Sequence, residues 1–107
     1  MIPQITAEQL AAKIQDGESI YLVDVRQPWE NEYCQLPGSV LIPLPDLPAR
    51  LAEVEPPEKA LVIVYCHHGI RSQSGAALLE RLGISAFSLA GGLDAWSLEI
   101  DPRLPRY

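Results

Sequence analysis

The stretch LVIVYCHHGIRSQSGAALLERLG, residues 61–83, changes its periodicity in the middle and so decides the fold class. Residues 61–65 form a near-continuous β-branched and aromatic run, the pattern of a strand buried on both faces. From Ser72 onward Ala76, Leu79 and Leu82 recur at helical spacing and Gly83 supplies a stop, which predicts a helix. A strand that runs through a short loop into a helix is the building unit of a parallel sheet.

The flanking sequence repeats this alternation. Thr6 and Gln9 make a capping box, and Leu10, Ala11 and Ile14 carry helical spacing, so a first helix is predicted over Ala7 to Gln15. IYLVDV, residues 20–25, reads as a second buried strand. Pro28, Pro37, Pro43, Pro45 and Pro48 then break the chain into short pieces. These are a turn of helix at Trp29 to Tyr33, a strand at Ser39 to Ile42 and a helix over about Asp46 to Glu53. After the central stretch come a strand at 86–89 and a last helical turn introduced by Gly91-Gly92 and carrying Trp96. The proline-broken tail DPRLPRY, within residues 98–107, is expected to lie over the surface. The fold class is therefore α/β: a single domain over 1–107 with a central, mostly parallel β-sheet flanked by helices.

Composition excludes several functions. The chain has 107 residues, 48% hydrophobic and 21% charged, ordinary values for a globular domain with one core. Eight Lys+Arg against 14 Asp+Glu give a net charge of −6, which speaks against nucleic acid or an anionic membrane surface as a partner. The apolar runs 20–25 and 60–66 are far shorter than a bilayer span. The beginning, MIPQITAEQL, lacks the charged start and apolar stretch of a secretory signal, so an intracellular, cytoplasmic protein with reduced thiols is expected.

The chemistry points to the loop between the strand at 61–65 and its helix. Functional loops of such sheets gather at the carboxyl ends of the strands. Cys66 sits at that end, Gly69 is free to take backbone angles closed to other residues, and Ser72 opens the helix. Successive backbone N–H groups can then curl around the sulfur as an anion-binding nest, surroundings that favour a nucleophilic thiolate. Arg71 is the only charged residue from Ala60 to Leu79, so the acidic chain keeps its carboxylates out of this sequence. A cysteine that only packs needs none of these neighbours. Cys34 is the contrasting case: it lies among Tyr33, Leu36 and Pro37 with Glu30 and Glu32 close by, and reads as a packing residue.

Four strings in this order resemble one family. CHHGIRS at 66–72 is similar to the active-site loop of rhodanese-like sulfurtransferases, and the match extends to VDVRQPWE at 23–30, LPGSVLIPL at 36–44 and LAGGLDAW at 89–96. The resemblance implies a rhodanese-like fold and a sulfurtransferase that takes sulfane sulfur from a donor such as thiosulfate and holds it as a persulfide on Cys66. The acceptor would be cyanide, a thiol or a protein. By position, His67, His68, Gly69, Ile70, Arg71 and Ser72 would form the substrate cradle, with Arg71 on the anion. No metal or other cofactor is implied. The chain departs from the family at Cys34 and Gln35, where a small residue and a histidine are common. Its DPRLPRY ending is similar to the tails of rhodanese domains fused to adenylating enzymes, which points to a sulfur-acceptor protein.

Other readings are weaker. Asp24 and Arg26 read first as an acid at a strand end organising the next loop and its arginine, and Glu30 similarly. His67 and His68 beside one thiol fall short of a four-ligand zinc site and read better as rim residues. Trp96 reads as a core anchor. A cysteine phosphatase or arsenate reductase of the same fold would place five residues between cysteine and arginine, whereas Cys66 and Arg71 enclose four. A non-catalytic rhodanese-like module that only binds a protein partner has no need of the cysteine, glycine and arginine kept together here.

Overall fold

Thr6 starts the first helix as its spacing predicts. Its hydroxyl accepts from the Gln9 N–H at 3.1 Å, and the Gln9 side chain accepts from the Thr6 N–H at 2.9 Å, a reciprocal cap of about 1 kcal/mol. The structure, a computed structural model, describes residues 2–107. Its elements are β1 (Gln4–Ile5), α1 (Ala7–Gln15), β2 (Ile20–Asp24), α2 (Pro28–Tyr33), β3 (Val40–Leu41), a 3-10 segment (Leu44–Glu53), β4 (Leu61–Tyr65), α3 (Arg71–Arg81), β5 (Ala86–Leu89) and α4 (Gly92–Glu99).

The five strands form one sheet in the order β1-β5-β4-β2-β3, every neighbouring pair parallel. The sheet is thus wholly rather than mostly parallel, with β4 at its centre. Alternation along the strands divides the core. Val23, Val62, Val64, Cys66 and Ala86 pack with Ala76 and Leu79 of α3 and with Leu47 and Val54. Leu22, Ile63, Tyr65 and Leu89 face the other way, against Leu10 of α1, Leu93 of α4, Cys34 and Leu36. Each large aliphatic side chain buried in these layers contributes about 1.5–3 kcal/mol. Period-two alternation therefore commits Cys66 to the α3 side.

Several local expectations shift. β1 has only two residues and no strand pattern of its own; it exists because Ser88 and Ala90 donate to the Pro3 and Ile5 carbonyls at 3.0 and 2.8 Å. Residues 44–53 wind as a 3-10 segment kinked at Arg50, since Pro45 and Pro48 remove the N–H groups an α-helix needs. Leu82 is 53% exposed, so α3 buries Ser72, Gly75, Ala76 and Leu79 instead. α4 has eight residues, two turns rather than one, and Trp96 is half-buried against the α1 side. The tail does not simply lie over the surface, because Tyr107 folds back onto α2 and the loop after β4.

Candidate active site

β4 ends at Tyr65, and the next residue, Cys66, is 1% exposed. Its Sγ accepts backbone hydrogen bonds from Gly69 at 3.1 Å and Ser72 at 3.4 Å and lies 3.6 Å from the Ser72 hydroxyl. The first turn of α3, Arg71 to Ser74, carries no acid, so its unpaired N–H groups and helix dipole present positive charge to the sulfur. Of the loop N–H groups expected to curl around the sulfur, those of Gly69 and Ser72 reach it.

Two glycines shape the nest. Gly69 has φ +94°, and a Cβ there would stand 2.9 Å from the Gly91 nitrogen. Gly92 has φ +59°, and a Cβ there would run into the carbonyl oxygens of Cys66 and His67. This close approach lets the N-terminus of α4 hold the loop from outside: Leu93 and Asp94 donate to the Cys66 and His67 carbonyls at 2.9 and 3.0 Å. With the Cys66 and His67 carbonyls turned toward α4, the Gly69 and Ser72 N–H groups are the ones that reach the sulfur.

Arg71 is not the isolated cation that the local sequence suggests. Its Nη1 and Nη2 donate to the two Glu30 oxygens at 2.7 and 2.9 Å. Glu30 is held there by its place in α2, where the same carboxylate accepts from the Gln27 N–H at 2.9 Å and from the Tyr107 hydroxyl at 2.7 Å. Burial works to raise the Glu30 pKa. Arg71, the Gln27 N–H and Tyr107 together outweigh it and hold the carboxyl down at about 2. The bidentate pair occupies two of the five guanidinium N–H donors and leaves three for an anion.

Asp24 and Arg26 are both fully buried and pair bidentately, Nε to Oδ1 at 2.8 Å and Nη2 to Oδ2 at 2.7 Å. Arg26 then donates to the carbonyls of Glu30 and Cys34 at 3.3 and 2.6 Å and to the Tyr107 hydroxyl at 2.9 Å. Its pKa is raised, because hydrogen bonds to Asp24 and Tyr107 and the Asp24 charge outweigh the opposing effect of burial. The charged neighbour of Cys34 is accordingly Arg26, whose Nη1 lies 3.9 Å from its sulfur. That corrects the acidic setting expected for Cys34, since α2 turns Glu30 toward Arg71 instead.

His67 is stacked between His68 and Tyr107, with ring centroids 3.9 Å apart on each side. Burial and then the neighbouring His68 push its pKa below the ordinary imidazole value, and its Nε2 has no hydrogen-bond partner among the described residues. His68 is exposed, 3.9 Å from an Asp94 carboxylate that also pairs with Arg106 at 2.8 Å. Ile70, at the tip of the loop, is 75% exposed.

Two contributors carried no clear sequence signal. Ser88 on β5 is fully buried, its hydroxyl 2.7 Å from that of Ser72 on the Cys66 side of the sheet. A lone serine inside the apolar run AFSL was the available hint. Tyr107 reaches Glu30, Arg26 and His67 from the far end of the chain, beyond any local motif. A groove of about 530 Å³ lined by Gln4, Gln9, Lys13, Leu61 and Phe87 lies at the opposite, amino end of β4 and contains none of the loop residues. No helix among the described residues is long and apolar enough to cross a membrane.

Comparison with known proteins gives a consistent result. The family model of the rhodanese-like domain matches residues 6–99. A sulfurtransferase from Allochromatium vinosum is 33% identical over 91% of this chain and 90% of its own length. A probable adenylyltransferase/sulfurtransferase MoeZ from Mycobacterium tuberculosis is 30% identical over 96% of this chain, which spans only 26% of that protein. Among solved structures, a thiosulfate sulfurtransferase from Pseudomonas aeruginosa superposes with a TM-score of 0.83 at 28% identity, covering 98% of this chain and 20% of that one.

Proposed function

Since this chain belongs to the rhodanese-like domain family, we propose that it is a sulfurtransferase that carries sulfane sulfur on Cys66 as a persulfide. The observation that carries the reading is the Cys66 sulfur accepting two backbone N–H groups inside a loop that α4 holds by its carbonyls. Such preorganised donors stabilise a sulfur anion before and after transfer.

The donor is a small sulfane compound such as thiosulfate, which is also the substrate class in the name of the Pseudomonas relative. The Cys66 thiolate attacks the outer sulfur of thiosulfate. A new S–S bond forms, the bond to the sulfonate breaks, and sulfite leaves with the electron pair. The terminal persulfide sulfur keeps the negative charge and stays under the loop N–H groups. Arg71, with three N–H donors left by Glu30, binds the anionic part of the donor. Cyanide, a thiol or the sulfhydryl of an acceptor protein then attacks the terminal sulfur and returns Cys66 as thiolate. Asp24 and Arg26 act behind the loop, fixing the position of Glu30 and thus of Arg71. The likeness to a protein named as both adenylyltransferase and sulfurtransferase supports a protein acceptor.

Intact-mass measurement after incubation with thiosulfate tests the proposal. The protein should gain one sulfur atom at Cys66, release sulfite in equal amount, and lose the gain with dithiothreitol. An unchanged mass across thiosulfate and organic persulfide donors would overturn it, and release of phosphate from an aryl phosphate would favour the phosphatase reading.

A further inference from the structure

We infer that Tyr107 is a positioning residue of the site, acting through Glu30 to keep the charge of Arg71 available to anions. The inference rests on the reading of Arg71 as the anion-binding group. Its basis is a continuous chain of contacts. The buried Asp24–Arg26 pair donates from Arg26 Nη1 to the Tyr107 hydroxyl at 2.9 Å, and that hydroxyl donates to Glu30 Oε2 at 2.7 Å. Glu30 Oε2 in turn accepts from Arg71 Nη2 at 2.9 Å.

A carboxylate set against Arg71 opposes its use for anions, because the pair carries no net charge. Tyr107 changes that balance. Its hydroxyl draws electron density from Oε2 while itself polarised by the buried Arg26 guanidinium, as the Gln27 N–H does at Oε1. Negative charge on Glu30 is thus spread toward the interior, away from the face on which Arg71 is about one-third exposed. The ring of Tyr107 has a separate task. It is stacked on His67 and meets Trp29 and Tyr33 edge-on at 5.6 and 5.7 Å, which holds the hydroxyl in place and fixes the loop residue next to Cys66.

Tyr107→Phe separates the two, since it keeps the ring and removes the hydroxyl. The readout is the rate of Cys66 alkylation by iodoacetate, an anion, relative to iodoacetamide, its neutral analogue, followed by peptide mass mapping so that Cys34 does not interfere. This ratio depends on the charge near Cys66 and not on sulfur transfer. Tyr107→Phe should lower it by a factor of roughly two to five, the size expected of a partly exposed charge effect, with the iodoacetamide rate little changed. The protein should still melt cooperatively, at a lower temperature because two hydrogen bonds to buried charged groups are lost. In an Arg71→Ala background the same substitution should leave the ratio where Arg71→Ala has put it.

An unchanged ratio in Tyr107→Phe would overturn the inference, as would an equal drop with and without Arg71. A Cys66 that neither reagent labels in the parent would overturn it too, since such a thiol selects no anion. If the ratio behaves as expected while thiosulfate leaves no sulfur on Cys66, the sulfurtransferase proposal fails and the role of Tyr107 stands. The converse result separates them equally well.

Discussion

Arg71 and Glu30 meet end on, Nη1 to Oε1 at 2.7 Å and Nη2 to Oε2 at 2.9 Å, and so tie the loop after β4 to the helix after β2. The two residues stand 41 positions apart in sequence. Parallel pairing of β2 with β4, Asp24 opposite Tyr65, brings their following loops to one end of the sheet. In the proposed mechanism donor binding depends on this pair, and acid stability should depend on it as well.

The acid limb of stability should report Glu30. Its folded pKa of about 2 lies below the ordinary value of 4.5, so the folded state binds fewer protons there. Its contribution is full above about pH 5 and is lost as the pH falls toward 2. Allowing for the partial exposure of Arg71, we expect Glu30→Gln to cost about 2 kcal/mol at pH 7, with about half of that gap gone by pH 3. Urea unfolding of parent and variant at the two pH values measures it. A gap that does not narrow would refute the assignment of the acid sensitivity to this carboxylate.

Arg71→Ala should reduce kcat/KM for thiosulfate by about 10- to 100-fold, the loss of a charge-assisted contact. Arg71→Lys should recover only part of that, since an ammonium cannot match the Glu30 fork. Part of the alanine effect would come from a stranded Glu30 carboxylate. The Glu30→Gln/Arg71→Ala double variant isolates the remainder. Full thiosulfate turnover in that double variant would leave donor binding to the backbone nest alone.

The two cysteines should separate. Cys66→Ser should abolish sulfite release while the protein still melts cooperatively, because an alcohol neither ionises usefully at neutral pH nor carries sulfane sulfur. Cys34→Ser should keep most turnover and lose about 1 to 2 kcal/mol, as a small buried group is exchanged for a hydroxyl with the Arg26 guanidinium as its nearby donor. A folded but inactive Cys34→Ser protein would make Cys34 a second participating thiol.

Gly92→Ala should be among the most damaging single-methyl additions in the chain. The new Cβ meets the Cys66 and His67 carbonyls at a φ of +59°, and these are backbone atoms that cannot swing aside as the end of a side chain would. A loss of about 3 kcal/mol or more is expected, with sulfur loading reduced even where the protein stays folded. Thermal melts and the mass gain with thiosulfate provide the two readings. A stable variant that loads normally would show that the α4 contacts do not hold the nest.

Much of this molecule was legible along the chain. The period change across 61–83, the capping box at Thr6 and the buried run at 20–24 specify their elements through local forces: side-chain periodicity, cap geometry and proline's missing N–H. The same holds for Cys66 at the strand end and for Gly69 and Ser72 in the loop, because a nest is a property of consecutive backbone groups. β1 could not be read in this way, since two residues become a strand only when β5 offers a partner. Leu82 kept the helical spacing but fell outside the contact face, which the sheet and not α3 defines.

Sequence by itself thus determined the α/β architecture and, in the loop after β4, the glycine and serine whose N–H groups reach the Cys66 sulfur. Only the tertiary structure decided how the charge around it is balanced. Arg71 is the lone charge in its own stretch, yet Glu30 from α2 meets it there, held in turn by Tyr107 from the chain's far end with Arg26 behind. Hydrogen bonds and charge interactions act over a few ångströms of space, and spacing along the chain does not carry that distance until the strands have paired.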